Sequence, residues 1–147
     1  MDNNQALTLA QPSFSLTEQA SLSLLQAAIN KAGELGIKAT VSIVDTSGRQ
    51  LAFIKMAGSF LVSSELAQKK ATTAAGMGVN TVDLENMLAS APARVLDGLT
   101  KAGEFTVIGG GVPLYWEGVL VGGIGVSGGS EDEDIECALS AAEVLAS

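Results

Sequence analysis

Residues 109–129 read GGGVPLYWEGVLVGGIGVSGG and residues 130–147 read SEDEDIECALSAAEVLAS. The first segment mixes glycines with β-forming residues, which is typical of strands that pack too closely for side chains at some positions. In the second, Ser130 and Glu133 form a capping-box pattern, and the acidic residues around them are favoured at a helix N-terminus. This part of the chain therefore predicts two strands, a glycine loop and a helix that begins abruptly.

Two short motifs overlap in the glycine-rich segment. Gly123, Gly125 and Gly128 spell GxGxxG, the dinucleotide fingerprint, but the acidic residues that follow would repel a phosphate group. Residues 125–129 also spell GxSxG, a nucleophile elbow in which Ser127 would be the nucleophile. The sequence has no histidine to serve as its base, and spacing alone does not assign that role to a lysine. Neither motif is therefore interpreted as a functional site on its own.

The length, net charge and residue composition of the chain argue against several classes of function. A chain of 147 residues suits one domain, and its net charge of −8 argues against nucleic acid or an anionic membrane as a partner. The absence of histidine, together with a single cysteine, predicts no metal site. Cys137 is expected to be a buried, inert thiol. No basic residue precedes Lys31 and no apolar run could span a bilayer, so a cytoplasmic location is expected.

The N-terminal part predicts an arm followed by a helix. Residues 1–13 are polar and aperiodic and are expected to form a flexible arm, with residues 14–147 as a single domain. Thr17 is predicted to cap a helix that runs to about Leu35 and stops at Gly36. Further helices are predicted with caps at Ser63 or Ser64, at Asn80 or Thr81 and at Ser130, and another helix is predicted to begin at Pro92.

Five strands are predicted, at residues 38–45, 50–56, 104–108, 112–116 and 119–126. The first two are joined by the turn-forming residues 46–49 and the last two by a turn at Gly118, so the sheet should be mostly antiparallel. Tyr115 and Trp116 are adjacent in one strand and should face opposite sides. The residues therefore predict an α+β fold in which helices cover a five-stranded, mostly antiparallel sheet.

Several blocks of the sequence resemble a known family. They are IVDTSG at 43–48, KMAGS at 55–59, AQKKATTA at 67–74, GGGVP at 109–113, and EGVLVGGIGVSGG at 117–129 with Asp134 after it. These blocks resemble the GlcG/HbpS family, described as haem-binding or haem-degrading, which includes the C-terminal domain of PduO-type proteins. The resemblance implies a profilin-like three-layer α/β/α sandwich, a homo-oligomer, and haem or a related tetrapyrrole as the candidate cofactor.

One block departs from the family pattern. Members usually carry Arg, Met, Asp, Gly and Ala where this chain has Lys55, Met56, Ala57, Gly58 and Ser59. The arginine and the aspartate have thus become lysine and alanine, which removes an ion pair or a carboxylate role there. Without histidine, haem iron would depend on weaker ligands than imidazole.

A small-molecule pocket is predicted at the edge of the sheet, between the 55–59 turn, the helix that carries Lys70, and the 109–113 bend. Lys70 and Lys55 are the candidate catalytic residues, as an acid/base or as a carboxylate anchor. The predicted ligand-binding residues are Met56, Gly58, Gly109, Gly110, Gly111, Pro113, Tyr115 and Ser127. Two functions remain open: binding of haem or a related tetrapyrrole without a histidine ligand, and a cofactor-independent lyase activity on a small aromatic or hydroxy acid.

Overall fold

A computed structural model describes residues 9–146. Residues 1–8 of the predicted arm lie outside the described residues, and residues 9–13 are exposed and belong to no helix or strand. The division into an arm and a single domain at residue 14 stays a prediction. Among the described helices, none is long and apolar enough to cross a bilayer.

Helix α1 spans Glu18–Leu35, as the sequence predicts. The Thr17 side chain accepts a hydrogen bond of 3.1 Å from the Ala20 N–H, which satisfies one of the unpaired donors at the helix start. Gly36 ends the helix with φ at 74°, a left-handed conformation that glycine adopts without strain. Both predicted caps are confirmed because they depend only on neighbouring residues.

The sheet has four strands among the described residues: β1 (Thr40–Val44), β2 (Gln50–Lys55), β3 (Gly111–Trp116) and β4 (Val119–Ser127). Their order is β2-β1-β4-β3, and every neighbouring pair is antiparallel. The α+β class and the antiparallel pairing are confirmed. The prediction of five strands is wrong, because residues 104–108 form no strand.

Side chains satisfy the backbone of the segment that was predicted as the fifth strand. The Thr106 N–H donates to Thr73 Oγ1 at 3.0 Å, and the Ile108 N–H donates to Thr106 Oγ1 at 3.2 Å. The Ile108 carbonyl accepts from Thr81 Oγ1 at 2.7 Å. These bonds replace a strand ladder, so the β-forming composition of the segment does not place it in the sheet.

The helices after β2 are α2 (Val62–Met77), α3 (Leu84–Met87), α4 (Ala93–Lys101) and α5 (Glu131–Ala142), with 3-10 turns at Thr81–Asp83 and Glu143–Ala146. Helix α2 covers one face of the sheet, while α1 and α5 pack together on the other. This is the expected three-layer arrangement. The predicted cap at Ser63 or Ser64 is wrong, since α2 begins at Val62 and its N-cap residue is Leu61, which makes no side-chain capping bond.

Glycines let α2 lie directly against the sheet. Gly111 pairs with Gly125 across β3 and β4, and Gly123 lies further along β4. A Cβ at any of the three would meet a backbone carbonyl oxygen of α2, that of Lys70, Ala67 or Ala71. The helix backbone thus touches the strand backbone, and this contact sets where Lys70 lies relative to β4.

Candidate functional site

One end of the sheet gathers polar side chains in a row. Lys55 of β2 pairs with Thr40 of β1, and Thr40 pairs with Ser127 of β4. Directly paired residues share a face of an antiparallel sheet, and Ser42, two residues after Thr40, donates to Gln68 of α2. The row Lys55, Thr40 and Ser127 therefore lies on the α2 face, and Thr40 and Ser127 are buried there.

The 55–59 turn closes over this row. Lys55 Nζ donates to the Ser59 carbonyl at 2.7 Å, and the Ser59 and Thr40 hydroxyls share a hydrogen bond of 3.1 Å. The Met56 thioether accepts a bond from the Ala39 N–H at 3.3 Å, and Gly58 supplies the left-handed φ of 90° that the turn requires. The structure thus brings together the predicted residues Lys55, Gly58 and Ser127, while the Met56 side chain packs against the core on the opposite face of the sheet.

Lys70 lies in the interior. Its side chain is 1% exposed, and its Nζ donates to the Val126 carbonyl at 2.8 Å and to Asp134 Oδ2 at 3.0 Å. Burial lowers the pKa of Lys70 because the ammonium group loses its hydration, and the negative charge of Asp134 offsets part of that effect. Burial likewise raises the pKa of Asp134, while the Lys70 charge acts in the opposite direction.

Asp134 and Glu131 are partners of the site that the sequence reasoning did not assign. Asp134 Oδ1 accepts from the Gly129 N–H at 2.9 Å, and Glu131 Oε2 accepts from the Gly109 N–H at 2.6 Å. Glu133 completes the predicted capping box with Ser130, which is confirmed. Three of the acidic residues at the start of α5, Glu131, Glu133 and Asp134, therefore bind this chain's own backbone, and Asp134 also binds Lys70. The position of Asp134 five residues after the GVSGG block that resembles the family was the available signal in the sequence.

The 109–111 bend is filled by neighbouring atoms. A Cβ on Gly109 would lie 2.7 Å from Ile135 Cδ1, and one on Gly110 would lie 2.9 Å from Lys70 Nζ. Gly111 is closed by the α2 backbone, as described above. These glycines serve close packing around the Lys70 and Asp134 pair. A ligand that approached this bend would have to displace these atoms.

Two predicted residues lie away from the row. Pro113 is buried and pairs with Gly123 under α2. The Tyr115 hydroxyl donates to the Gly78 carbonyl at 2.8 Å, at the C-terminal end of α2. Four residue steps separate Tyr115 from Gly111 in β3, which is about 13 Å of strand. The structure therefore does not bring Tyr115 or Pro113 together with Lys55.

Beside the polar row lies an exposed apolar surface, defined here as Phe53, Phe60, Leu61 and Val62. The last three are 67%, 84% and 64% exposed and lead into the first turn of α2. Phe53 pairs with Ser42 and so shares the face of Lys55. Large apolar side chains exposed side by side on a domain mark a place where a ligand or another chain can bind. Two cavities in the described part of the chain lie elsewhere, one beside Trp116 and one between α3 and α4.

The fold and the site define a class: a small three-layer α+β domain with a buried lysine-aspartate pair and an exposed apolar end that carries a lysine. The family described as "Haem degrading protein HbpS-like" matches residues 16–143. The chain belongs to the HbpS-like family, which confirms the resemblance seen in its sequence blocks.

Relatives and solved structures agree with this assignment. The corrinoid adenosyltransferase PduO of Citrobacter freundii is 41% identical over 133 residues, which are 89% of this chain but 39% of that protein. A crystal structure of a PduOC:haem complex is 36% identical, with a TM-score of 0.81, covering 89% of this chain and 95% of that chain. A crystal structure of HbpS is 32% identical, with a TM-score of 0.84, covering 93% and 94%. The chain thus spans well under half the length of its PduO relative.

Proposed function

We propose that this chain binds haem or a related tetrapyrrole at the Lys55 end of the sheet, through apolar contact and pairing with a carboxylate. The observation that carries the proposal is its likeness to the PduOC:haem complex, which extends over 95% of that chain at 36% identity. A shared fold alone does not imply that two proteins bind the same ligand. The chemistry of the residues at this end of the sheet adds an independent argument.

The exposed apolar surface suits the flat face of a tetrapyrrole. Covering Phe60, Leu61 and Val62 with a macrocycle would remove apolar area from water on both partners. Lys55 adjoins this surface and uses one donor on the Ser59 carbonyl, and a lysine ammonium has three. The remaining donors can reach a carboxylate of the macrocycle. Lys55 is thus the cationic anchor in this proposal.

The donors near the site do not fit a strong axial iron ligand. The chain has no histidine, and Cys137 is 0% exposed. The Met56 sulfur already accepts the Ala39 N–H, and the Tyr115 hydroxyl is bonded to Gly78 at the far end of β3. Affinity in this proposal therefore comes from the ring and its carboxylates rather than from the metal. A metal-free macrocycle should bind about as well as haem.

Titration of the purified chain with haemin and with metal-free protoporphyrin, followed by absorbance, tests this proposal. We expect saturable spectral shifts for both, with dissociation constants within about tenfold of each other. Lys55→Ala should weaken both by about fivefold, the effect of losing one exposed charge pair. The matched control is Lys101→Ala, whose lysine is exposed on α4 and pairs only with Asp97 among the described residues. Binding of haemin alone, or no saturation, would overturn the proposal.

The lyase alternative stays a prediction, with Lys70 or Lys55 as its acid/base or anchor. Lys70 Nζ is held by the Val126 carbonyl and Asp134 in the interior, so it does not contact a substrate in this conformation. Lys55 would then be the residue that meets a hydroxy or aromatic acid. Turnover of such an acid, lost in Lys55→Ala and retained in Lys101→Ala, would favour this alternative.

We also propose that copies of the chain associate into a homo-oligomer through the edge strand β2. Leu51, Phe53 and Ile54 are all more than a third exposed, and Phe53 and Ile54 face opposite sides of this strand. An uncovered edge with apolar residues offers both hydrogen-bonding groups and apolar area to a second copy. Such an interface would lie next to Lys55. A cytoplasmic location likewise remains a prediction.

A further inference from the structure

The cavity beside Trp116 lies at the opposite end of the sheet from Lys55, on the face that α1 and α5 cover. Its volume is about 370 Å³, within the range of small-molecule pockets. Its apolar walls are formed by Phe14, Leu16, Ala20, Trp116, Val121 and Leu145. Trp116 is five residue steps from Gly111 in β3, or about 17 Å of strand, so this cavity is separate from the Lys55 end.

Two aromatic rings form one corner of the cavity. The Phe14 and Trp116 ring centroids are 5.4 Å apart and the ring planes are at 70°, an edge-to-face contact. Both side chains are more than a third exposed, so the corner still presents apolar area to water. A third ring placed there would cover that area and extend the aromatic contact.

The polar lining limits the charge of the occupant. Ser15 and Thr17 are the polar residues of the wall, and none of the lining residues within 9–146 carries a charge. Thr17 Oγ1 accepts the Ala20 N–H at 3.1 Å, which leaves its own proton to donate to an acceptor. A carboxylate placed here would lose hydration without gaining a cationic partner. The cavity thus favours a neutral ligand with one acceptor.

We infer that this cavity is a binding site for an uncharged, single-ring aromatic molecule that carries one oxygen acceptor. The ring packs in the corner of Phe14 and Trp116, and its oxygen accepts from the Thr17 hydroxyl. The inference does not rest on tetrapyrrole binding, because the two sites share no residue.

Trp116 is the sole tryptophan of the chain, so its fluorescence and its indole N–H signal in NMR report on the cavity directly. Titration with benzyl alcohol should give a saturable change in both signals, while benzoate should bind at least about tenfold more weakly. Ala20→Leu, which fills the cavity, should raise the dissociation constant of benzyl alcohol by at least about tenfold. The control is Ser23→Leu, which also introduces a leucine into α1 but at an exposed position outside the cavity lining, and it should bind as the parent does.

Three results would overturn the inference: no saturable change at Trp116, equal binding of benzoate and benzyl alcohol, or undiminished binding by a folded Ala20→Leu variant. Circular dichroism establishes whether that variant folds. If it does not, the comparison of benzyl alcohol with benzoate on the parent chain still decides. Saturation of the haemin site beforehand should leave the benzyl alcohol titration unchanged.

Discussion

Lys70 Nζ lies 3.0 Å from Asp134 Oδ2, and this buried ion pair joins α2 to α5, helices on opposite faces of the sheet. The partners are 64 residues apart in sequence. The 109–111 bend closes around them, with Gly110 so near Lys70 that a Cβ would contact its Nζ. The cation that the sequence offered as a catalytic group thus holds three elements together.

Breaking this pair should destabilise the fold. Lys70→Met leaves Asp134 buried without its counterion, and losses of this kind cost about 3–5 kcal/mol. Lys101→Met is the matched control, because Lys101 and Asp97 are 2.8 Å apart but both exposed, and such pairs contribute about 0–1 kcal/mol. Urea unfolding measures both free energies. Similar values for the two variants would contradict a structural role for the Lys70 pair.

Glycine-to-alanine substitutions should have opposite effects on stability at a glycine that touches α2 and at a glycine with open space beside it. In Gly125→Ala the new Cβ meets the Ala67 carbonyl of α2, so we expect a loss of about 2 kcal/mol or more from overpacking. Gly33→Ala is the control, since among the described residues no atom outside the backbone of its own helix lies within 4 Å of a Cβ at that position. It should stabilise the chain by about 0.5–1 kcal/mol, because alanine suits a helix better than glycine does. Thermal unfolding should show a lower melting temperature for Gly125→Ala and a higher one for Gly33→Ala than for the parent chain.

Cys137 should be unreactive in the native state. Its side chain is 0% exposed, and burial, helped by the nearby Asp134 charge, raises the pKa of the thiol from 9.0 to about 11. At pH 8 only about a thousandth of the thiol would be ionised. Maleimide labelling should therefore be slow in buffer and complete in denaturant. Fast labelling of the folded chain would refute the buried placement.

The same thiol should make stability depend on pH in the alkaline range. The pKa of Cys137 is higher in the folded state than in the unfolded state, so at pH values between these two pKa values the folded state holds the thiol proton more tightly. The contribution of the protonated thiol to the free energy of unfolding is fully present below pH 9.0 and is lost as pH rises through about 11. Denaturant unfolding across this window should show a smaller decline in Cys137→Ala than in the parent chain.

Substitution in the β2 edge should change the assembly. Ile54→Lys places a charge on the exposed edge strand, and charged edge residues disfavour strand pairing between chains. We expect the mass measured by light scattering to fall toward that of a monomer. Leu22→Lys, an equivalent change at an exposed leucine of α1, should leave the mass as it is. An unchanged mass for Ile54→Lys would contradict the proposed interface.

Short-range features of the chain were predictable from its residues. Thr17 and Gly36 bound α1, Ser130 and Glu133 form the capping box of α5, and each acts on atoms only a few residues away. Tyr115 and Trp116 face opposite sides, as adjacent strand residues must: one bonds to Gly78 and the other contacts Phe14. The family blocks also identified the family.

Long-range contacts were not predictable in this way. Residues 104–108 have the composition of a strand, but backbone groups of this segment form hydrogen bonds with the side chains of Thr73 and Thr81 instead of with a neighbouring strand. Nothing local indicates that Lys70 is buried rather than solvated, since its charge is matched by an aspartate from another helix. The sequence alone determined both ends of α1, the start of α5, the hairpins and the family, because these depend on neighbouring residues and on recurring motifs. Only the tertiary structure decided the strand count and the partner of Lys70, because both depend on groups that meet across the fold.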